Sequence, residues 1–526
     1  MSEETTGGKQ IFRAATLVMA LFVVSRALGL AREMVIGATF GTGTDYDAYL
    51  AAVQIPDILF TLIAGGALGS AFIPTFAGYF ARGDPEGGWK LASAVINLLL
   101  TALTLAAVLA WLTAPLLVAT ILASGWGPEQ QALTVSLMRT TLAAPILFGV
   151  SGVVMGILNA RQHFLLPALA PSFLNLSLIG ASWLFAPRLG VRALAIGYVV
   201  GAALHLSVQL PGLLSVGARY HPVLSLRHPG VRRVLQLMAP RVLGLAAVQL
   251  NFLVNKNIAS WMAAGAVSSL NYAWLLMLLP QGVFAQAVAT AAFPTFVEQV
   301  AAGKRDVMRR TLSSTLRVVF FLTIPAAVGL LTLGEPLVAL LFERGAFEAG
   351  STEAVTWALT FYALGLAGHA GVEIVARAFY ALHDTWTPVW VGGVAMGLNI
   401  VLSLALGALF GWAGLPAYGG LALANSIAVL LEMVWLIVLV RTRLGGLEEG
   451  TLLRSVVRSG LAAAAMAAGL VLWRHGTKSQ ADWLVGGVGI LLGAGGYLAA
   501  ASLLGAEELR TAARLVLHRR AGVEPR

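Results

Sequence analysis

The sequence predicts an all-α integral membrane protein of about 14 transmembrane helices: two pseudo-symmetric six-helix lobes related as a parallel repeat, plus two C-terminal helices. Three observations predict it. Of 526 residues, 58% are hydrophobic and only 11% charged, with a mean hydropathy of +0.83. A soluble domain carries about 25% charged residues, so this chain has too few to cover a water-facing surface. Apolar runs of about 20 residues or more, the length a bilayer core demands, recur fourteen times. Finally, the phrase "AFIPTF" at Ala71–Phe76 returns as "AAFPTF" at Ala291–Phe296.

The runs lie near 14–38, 47–80, 90–122, 133–160, 165–187, 191–217, 231–263, 266–301, 312–341, 352–381, 387–411, 416–441, 451–473 and 483–504. Basic residues orient them, because cytoplasmic loops are enriched in Lys and Arg. An even count puts both termini on one side. That side collects Lys9, Arg82, Lys90, Arg161, the arginines of 219–233, the cluster 304–310, Arg441, Arg443, Arg454 and the basic tail. The other side holds only Arg188, Arg192, Arg344, Arg474 and Lys478. Both termini are therefore expected in the cytoplasm. The start "MSEETTGGKQIFR" is polar and leads into a span with no small-residue cleavage site, so it reads as a retained tail rather than a signal peptide.

The repeated phrase falls at equivalent places. Pro74 lies late in span two and Pro294 late in span eight, six spans on, and both are candidate kinks. A second echo keeps nearly the same offset, "NARQHFLLP" ending at Pro167 and "YALHDTWTP" at Pro388. A generic proline kink would explain either echo alone; two at one spacing point to an internal repeat. The expected organisation is a tail over 1–13, an N-lobe over 14–217, a linker over 218–230, a C-lobe over 231–441, two extra spans over 451–504 and a basic tail over 505–526. Two such lobes about an axis along the membrane normal form a cleft, the architecture of an alternating-access transporter.

Several function classes drop out. Without cysteine there are no disulfides, thiolate metal sites or cysteine nucleophiles. The net charge of +10 sits between apolar spans, where topology places it, and not in a nucleic-acid-binding patch. No GxxxxGK[ST], HExxH or catalytic GxSxG occurs, and no carboxylate cluster marks a metal, so neither enzyme nor cofactor is expected.

Ionisable residues inside spans are costly, about 2.5–3.5 kcal/mol each on insertion scales, and mark function by default. Span one contains "VVSRALGLAREMVIG". Arg26 and Glu33, seven apart, share a helix face; a bend at Gly29 would turn Arg32 to the same cleft. The competing reading is an internal Arg–Glu pair. Asp47, at the start of span two, is a transport residue or an interfacial N-cap, and Asp57 lies deeper. Span seven carries Arg241 and Lys256, the latter among Asn251, Asn255 and Asn257; Lys256 either faces the cleft or snorkels. Glu373 and Arg377, at i and i+4, read as a local ion pair, and isolated Glu432 receives no role. A cleft lined by arginines suits phosphate, because the planar guanidinium donates two parallel hydrogen bonds. The expected cargo is anionic and phosphorylated.

The stretches "SRALGLAREMVIGATFGTGTDYDAYLAAVQIPDIL", "GALGSAFIPTF", "NKNIASWMAAGAVSSLNYAWLL", "PQGVFAQAVATAAFPTF" and "RAFYALHDTWTPV" resemble the MurJ (MviN) lipid II flippases of the MOP exporter superfamily. The likeness covers nearly the whole chain, two C-terminal helices included. It implies export of lipid-linked peptidoglycan precursor from the inner to the outer leaflet of the bacterial cytoplasmic membrane. A V-shaped cleft would take the headgroup and a groove near the last two helices the polyprenyl tail. Membrane lipids, and the cell-wall synthesis machinery, are the partners it implies. By motif position Arg26 and Arg32 match the family's first-helix arginines, Glu33 the neighbouring acid and Asp47 the second-helix aspartate.

The sequence also departs from the family pattern. Phe60 stands where arginine is common after I-P-[ND], Gly65 replaces the acid of "AEGA", and Trp274 and Leu275 replace the Asp and Arg of "YYADRL". Lys256 and Arg241 are then the cations expected to restore positive charge. The departures keep three alternatives in play: a flippase for another polyprenyl-pyrophosphate glycan, a multidrug exporter of the same superfamily, and a transport-dead lipid-binding scaffold. Membrane potential or an ion gradient, rather than a nucleotide, is the expected energy source.

Overall fold

The computed structural model describes residues 21, 23–63, 67–477 and 480–509, and among these there are helices and turns but no strand. The chain folds into two compact units, one running to Val267 and including Gly345–Phe347, the other comprising Ser268–Arg344 and Glu348 onward. The first unit contains α1 (23–40), α2 (Thr44–Ala52), α3 (Gln54–Ile63), α4 (Ala67–Ala81), α5 (Pro85–Leu117), α6 (Pro128–Thr141), α7 (Ala144–Ala160), α8 (Leu165–Gly180), α9 (Ala186–Leu189), α10 (Arg192–Ser207), α11 (Leu210–Ser215) and α12 (Pro229–Ser260). The second contains α13 (Ala266–Pro280), which starts at the boundary, α14 (Ala287–Ala301), α15 (Arg305–Phe342), α16 (Ala349–Ala381), α17 (Trp386–Trp412), α18 (Tyr418–Leu444), α19 (Glu449–Gly476) and α20 (Asp482–Leu503).

Among the described residues, eleven helices are long and apolar enough to cross a bilayer. The other three expected spans differ for identifiable reasons. The run 14–38 begins outside the described residues. The run 47–80 is not one helix. It breaks at Val53, where Pro56 has no N–H to offer and its ring crowds the carbonyl of Ala52, and residues 64–66 lie outside the described residues. The run 231–263 is there as α12, whose 32 residues reach about 48 Å, but arginines, asparagines and Lys256 keep its hydropathy low.

Local sequence explains where helices start. Pro85, Pro128 and Pro229 occupy the first turns of α5, α6 and α12, where a missing N–H costs nothing. Asp84 caps α5 by accepting from the Gly87 amide at 2.8 Å. Helix ends carry the repeat. Left-handed residues close the loops at Gly41, Gly83, Gln162, Gly190 and Gly217, and about 220 residues later at Gly265, Gly303, His383, Gly414 and Gly445. The pair Gln162 and His383 is the most telling, because a side chain in this conformation is uncommon. Both sit in matching C-terminal turns, His163 N–H bonding Leu158 O at 2.8 Å and Asp384 N–H bonding Phe379 O at 2.9 Å.

The echoed phrase packs alike in each unit. Phe76 and Phe296 are both fully buried, whereas Pro74 and Pro294 are exposed inside α4 and α14. Phe76 stacks among Phe72, Phe80 and Trp89; Phe296 joins Leu312, Leu316, Ile374 and Phe379. With lipid outside, packing rests on contact rather than hydrophobic transfer, and small residues bring backbones close. In the second unit Gly365 and Gly368 of α16 let α18 approach, a Cβ at Gly365 falling 2.9 Å from Ser426 Cα. The two extra helices pack on α15, with Met466, Leu470 and Tyr497 against Phe321 and Leu333.

Candidate functional site

The first unit gathers the charges that the sequence singles out. On α1, Arg32 and Glu33 form an ion pair, Arg32 Nε donating to Glu33 Oε1 at 3.1 Å. Adjacent helical residues point about 100° apart, so the long arginine folds back over its neighbour. Two groups extend the pair. Arg32 Nη1 donates to Asn175 Oδ1 on α8 at 3.1 Å, and the Tyr46 hydroxyl donates to Glu33 Oε2 at 3.2 Å. Asn175 in turn donates to the Ser25 carbonyl at 3.2 Å. Glu33 is nearly buried, its side chain 8% exposed, while that of Arg32 keeps 25%. Glu33 and Asn175 together hold the Arg32 guanidinium, whose side chain stays partly accessible.

Arg26 lies exposed on the same helix, and α1 runs unbroken through Gly29. Glu33 is the ion-pair partner of Arg32. Asp47 is almost wholly buried in the first turn of α2, and its carboxylate accepts the Gly265 amide at 2.8 Å. It holds the loop after α12, and the N-cap position of α2 is Gly43. Lys256, near the end of α12, donates its ammonium to the Leu50 carbonyl at 3.0 Å, beside the break between α2 and α3. Arg241 lies within α12.

Sequence reading missed three participants. Asn175 and Tyr46 complete the shell around Arg32 and Glu33. Tyr198 on α10 donates to Asp57 Oδ1 at 2.5 Å, and Asp57 lies within electrostatic reach of Lys256 and Arg32. The signal for Asn175 was present: one asparagine in the apolar run "PSFLNLSLIG", buried to 7%. In hydrocarbon such a side chain needs a partner.

Two of the departures from the family pattern, Phe60 and Trp274, take part in aromatic packing. Phe60 sits 5.1 Å, centroid to centroid, from Phe148, which also meets Tyr198 and His205. In the second unit Trp274 packs edge-on against Tyr362 and His369, both at 5.3 Å. Gly65 falls outside the described residues. Glu373 and Arg377 form the expected i, i+4 pair at 2.6 Å. Among the described residues no group of three His, Asp or Glu side chains could hold a metal.

Fold and site together define a multi-pass transporter of the MOP superfamily. A multidrug resistance MATE family transporter of that superfamily, in an inward-facing conformation, shares the fold at a TM-score of 0.67 and 15% identity, over 83% of this chain and 99% of that one. The family model described as lipid II flippase MurJ matches residues 36–492, and the chain belongs to this family. It is 32% identical to a probable lipid II flippase MurJ of Vibrio cholerae over 95% of this chain and 98% of the relative. A lipid II flippase MurJ of Burkholderia cenocepacia is 35% identical over 80% and 84%. The structure of a lipid II flippase MurJ in an inward closed conformation matches at a TM-score of 0.77 and 25% identity, covering 93% of this chain and 98% of that one. The chain is accordingly a multi-pass protein of the bacterial inner membrane.

Proposed function

We propose that this protein is a flippase that moves lipid II from the inner to the outer leaflet of the cytoplasmic membrane by alternating access of two lobes. The observation that carries this reading is Arg32: the family's first-helix arginine, held by Glu33 and Asn175 with a quarter of its side chain accessible. A pre-oriented fork of this kind suits a diphosphate headgroup. Both termini face the cytoplasm in this proposal, as the basic loops require. Export of an anionic headgroup is favoured by an inside-negative potential, by about 2.3 kcal/mol per charge per 100 mV, which is the energy source proposed here. Depleting the protein in a cell with no second copy should accumulate lipid II in the inner leaflet. Unchanged inner-leaflet lipid II would overturn the proposal.

One observation favours a second reading. Aromatic side chains fill the positions of Phe60 and Trp274, and Leu275 stands where the family commonly has arginine. Such a site suits a flippase for another polyprenyl-pyrophosphate glycan, distinguished by which lipid accumulates on depletion.

A further inference from the structure

Arg139 is the one charged residue lining a groove of about 650 Å³ in the wall of the first unit, between α5 and α6. Its Nε donates to the Trp111 carbonyl at 3.2 Å, and its guanidinium lies over the Trp111 ring, 4.4 Å from the centroid. Pro115 is the reason that this carbonyl is available, since four residues on it has no N–H to return. No carboxylate pairs with Arg139 among the described residues. The groove is open to the surroundings, and the α5 side around it exposes Leu105, Leu109, Trp111, Leu112 and Leu116.

Depth places this cation. The span Pro128–Ala160 has 33 residues, about 50 Å of helix against a hydrocarbon core of about 30 Å. Centred, it overhangs by about 10 Å at each end. Arg139 lies about 16 Å from Pro128, hence about 6 Å inside the hydrocarbon edge, a distance its side chain covers by snorkelling. An anion at headgroup level can therefore meet the guanidinium. Basic pockets between transmembrane helices bind lipid headgroups on the cytoplasmic side, and the same charge pairing is available to a headgroup here.

We propose that the α5–α6 groove holds the phosphate of an anionic phospholipid, with Arg139 as its ligand and Trp111 as the platform that orients the cation. The leaflet is the one on the side of the 123–127 loop, the outer leaflet in the topology proposed above. Charge decides between lipid classes. A single guanidinium matches the single charge of a phosphodiester, whereas a polyprenyl diphosphate calls for more cations than this groove offers. The site is independent of which cargo is carried.

Native mass spectrometry of the full-length protein, in detergent supplemented with dioleoylphosphatidylglycerol or dioleoylphosphatidylcholine, tests the assignment. The wild type should retain the glycerol lipid about fivefold more tightly, the contribution of one basic residue at an anionic surface. Arg139→Gln should bring it down to the choline lipid, and Arg139→Lys should keep part of the preference. Ser136→Trp, which fills the groove from an exposed position and spares Arg139, should abolish the preference by occlusion. Equal preference in the wild type and Ser136→Trp, or in the wild type and a folded Arg139→Gln, would overturn the proposal. So would undecaprenyl diphosphate displacing the glycerol lipid from the wild type at equimolar concentration, which would make the groove a cargo site.

Discussion

Lys256 is the residue whose role a set of substitutions resolves most sharply. Its ammonium donates to the Leu50 carbonyl at 3.0 Å, at the interruption between α2 and α3. A hydrogen bond to a charged group contributes about 1.5–3 kcal/mol, and a carbonyl left unpaired in a buried place costs about 1–3 kcal/mol. As a local cap, then, Lys256 stabilises the broken helix. As a cargo ligand it would do more. A charge about 4 Å from a phosphate at an effective dielectric constant of about 20 interacts by about 4 kcal/mol. Even after partial offset by desolvation, that corresponds to two orders of magnitude or more in transport rate.

Three substitutions distinguish the roles. Lys256→Met keeps the stem and loses both donor and charge, Lys256→Gln keeps a donor, and Lys256→Arg keeps the charge. In proteoliposomes scored for lipid II reaching the outer leaflet, a cargo role predicts that Met and Gln fall about a hundredfold while Arg retains transport. Adding Leu275→Arg to Lys256→Met should then restore part of the activity, because the cation is needed more than its position. A capping role predicts instead that Gln transports normally and that Met loses about 1–3 kcal/mol of stability. Lys256→Met transporting within about threefold of wild type, a difference of less than 1 kcal/mol, would refute the cargo role and with it the idea that Lys256 compensates for Leu275.

Arg32→Lys should fail almost as fully as Arg32→Ala in the same vesicles, since a point charge cannot reproduce the fork that meets Glu33 and Asn175. Gly365→Ala should lower stability by about 1–3 kcal/mol, read by thermal unfolding in detergent, because its Cβ meets the α18 backbone at Ser426. Reporter fusions after Gly83 and Gly445 should read cytoplasmic and one within 123–131 external; an external signal after Gly445 would contradict the span count. The Asp384 carboxyl, in the turn before α17, is pushed up by its partial burial, but hydrogen bonds from the Thr387 hydroxyl and amide and the charge of Arg443 hold it below the usual carboxylate range. A lowered value stabilises the fold above the ordinary carboxylate range and is lost as pH falls through it. Acidification should therefore destabilise the wild type more than Asp384→Asn in thermal scans from pH 7 to about pH 3.

Composition and periodicity carried the fold a long way. Too few charges for a soluble surface, and the Phe76 and Phe296 phrases, point to a repeated bundle from sequence alone. The matched left-handed turns at Gln162 and His383 agree with that reading. What could not be read was how helices stop and restart inside the membrane. The run 47–80 reads as one span, and nothing in the local pattern says that it breaks before Pro56 or that Lys256, about 200 residues away, donates beside the break. The site was legible to the same degree. Arg32, Glu33 and Asp47 stood out by their cost in hydrocarbon, yet the Asp47 partner is the Gly265 amide, a backbone group that no motif advertises.

Prolines in long spans give this difficulty a general form. A proline inside a helix frees the carbonyl four residues earlier, and in lipid no water can take it. Three times here a distant side chain does so. Pro115 frees Trp111, which Arg139 meets at 3.2 Å; Pro325 frees Phe321, which Tyr497 meets at 2.7 Å; Pro336 frees Thr332, which Arg474 meets at 2.9 Å. Two of the three donors are on the C-terminal helices, Arg474 on α19 and Tyr497 on α20. The appended pair is thus fastened to α15 at the points where α15 is weakest. The polar residues of these spans thus include one kind that answers a proline in the same unit, and a second, such as Arg32, whose hydrogen bonds run to other side chains. Only the second kind carries the signature of a cargo site, and a carbonyl freed by a proline is the first thing to look for before an intramembrane arginine is assigned to cargo.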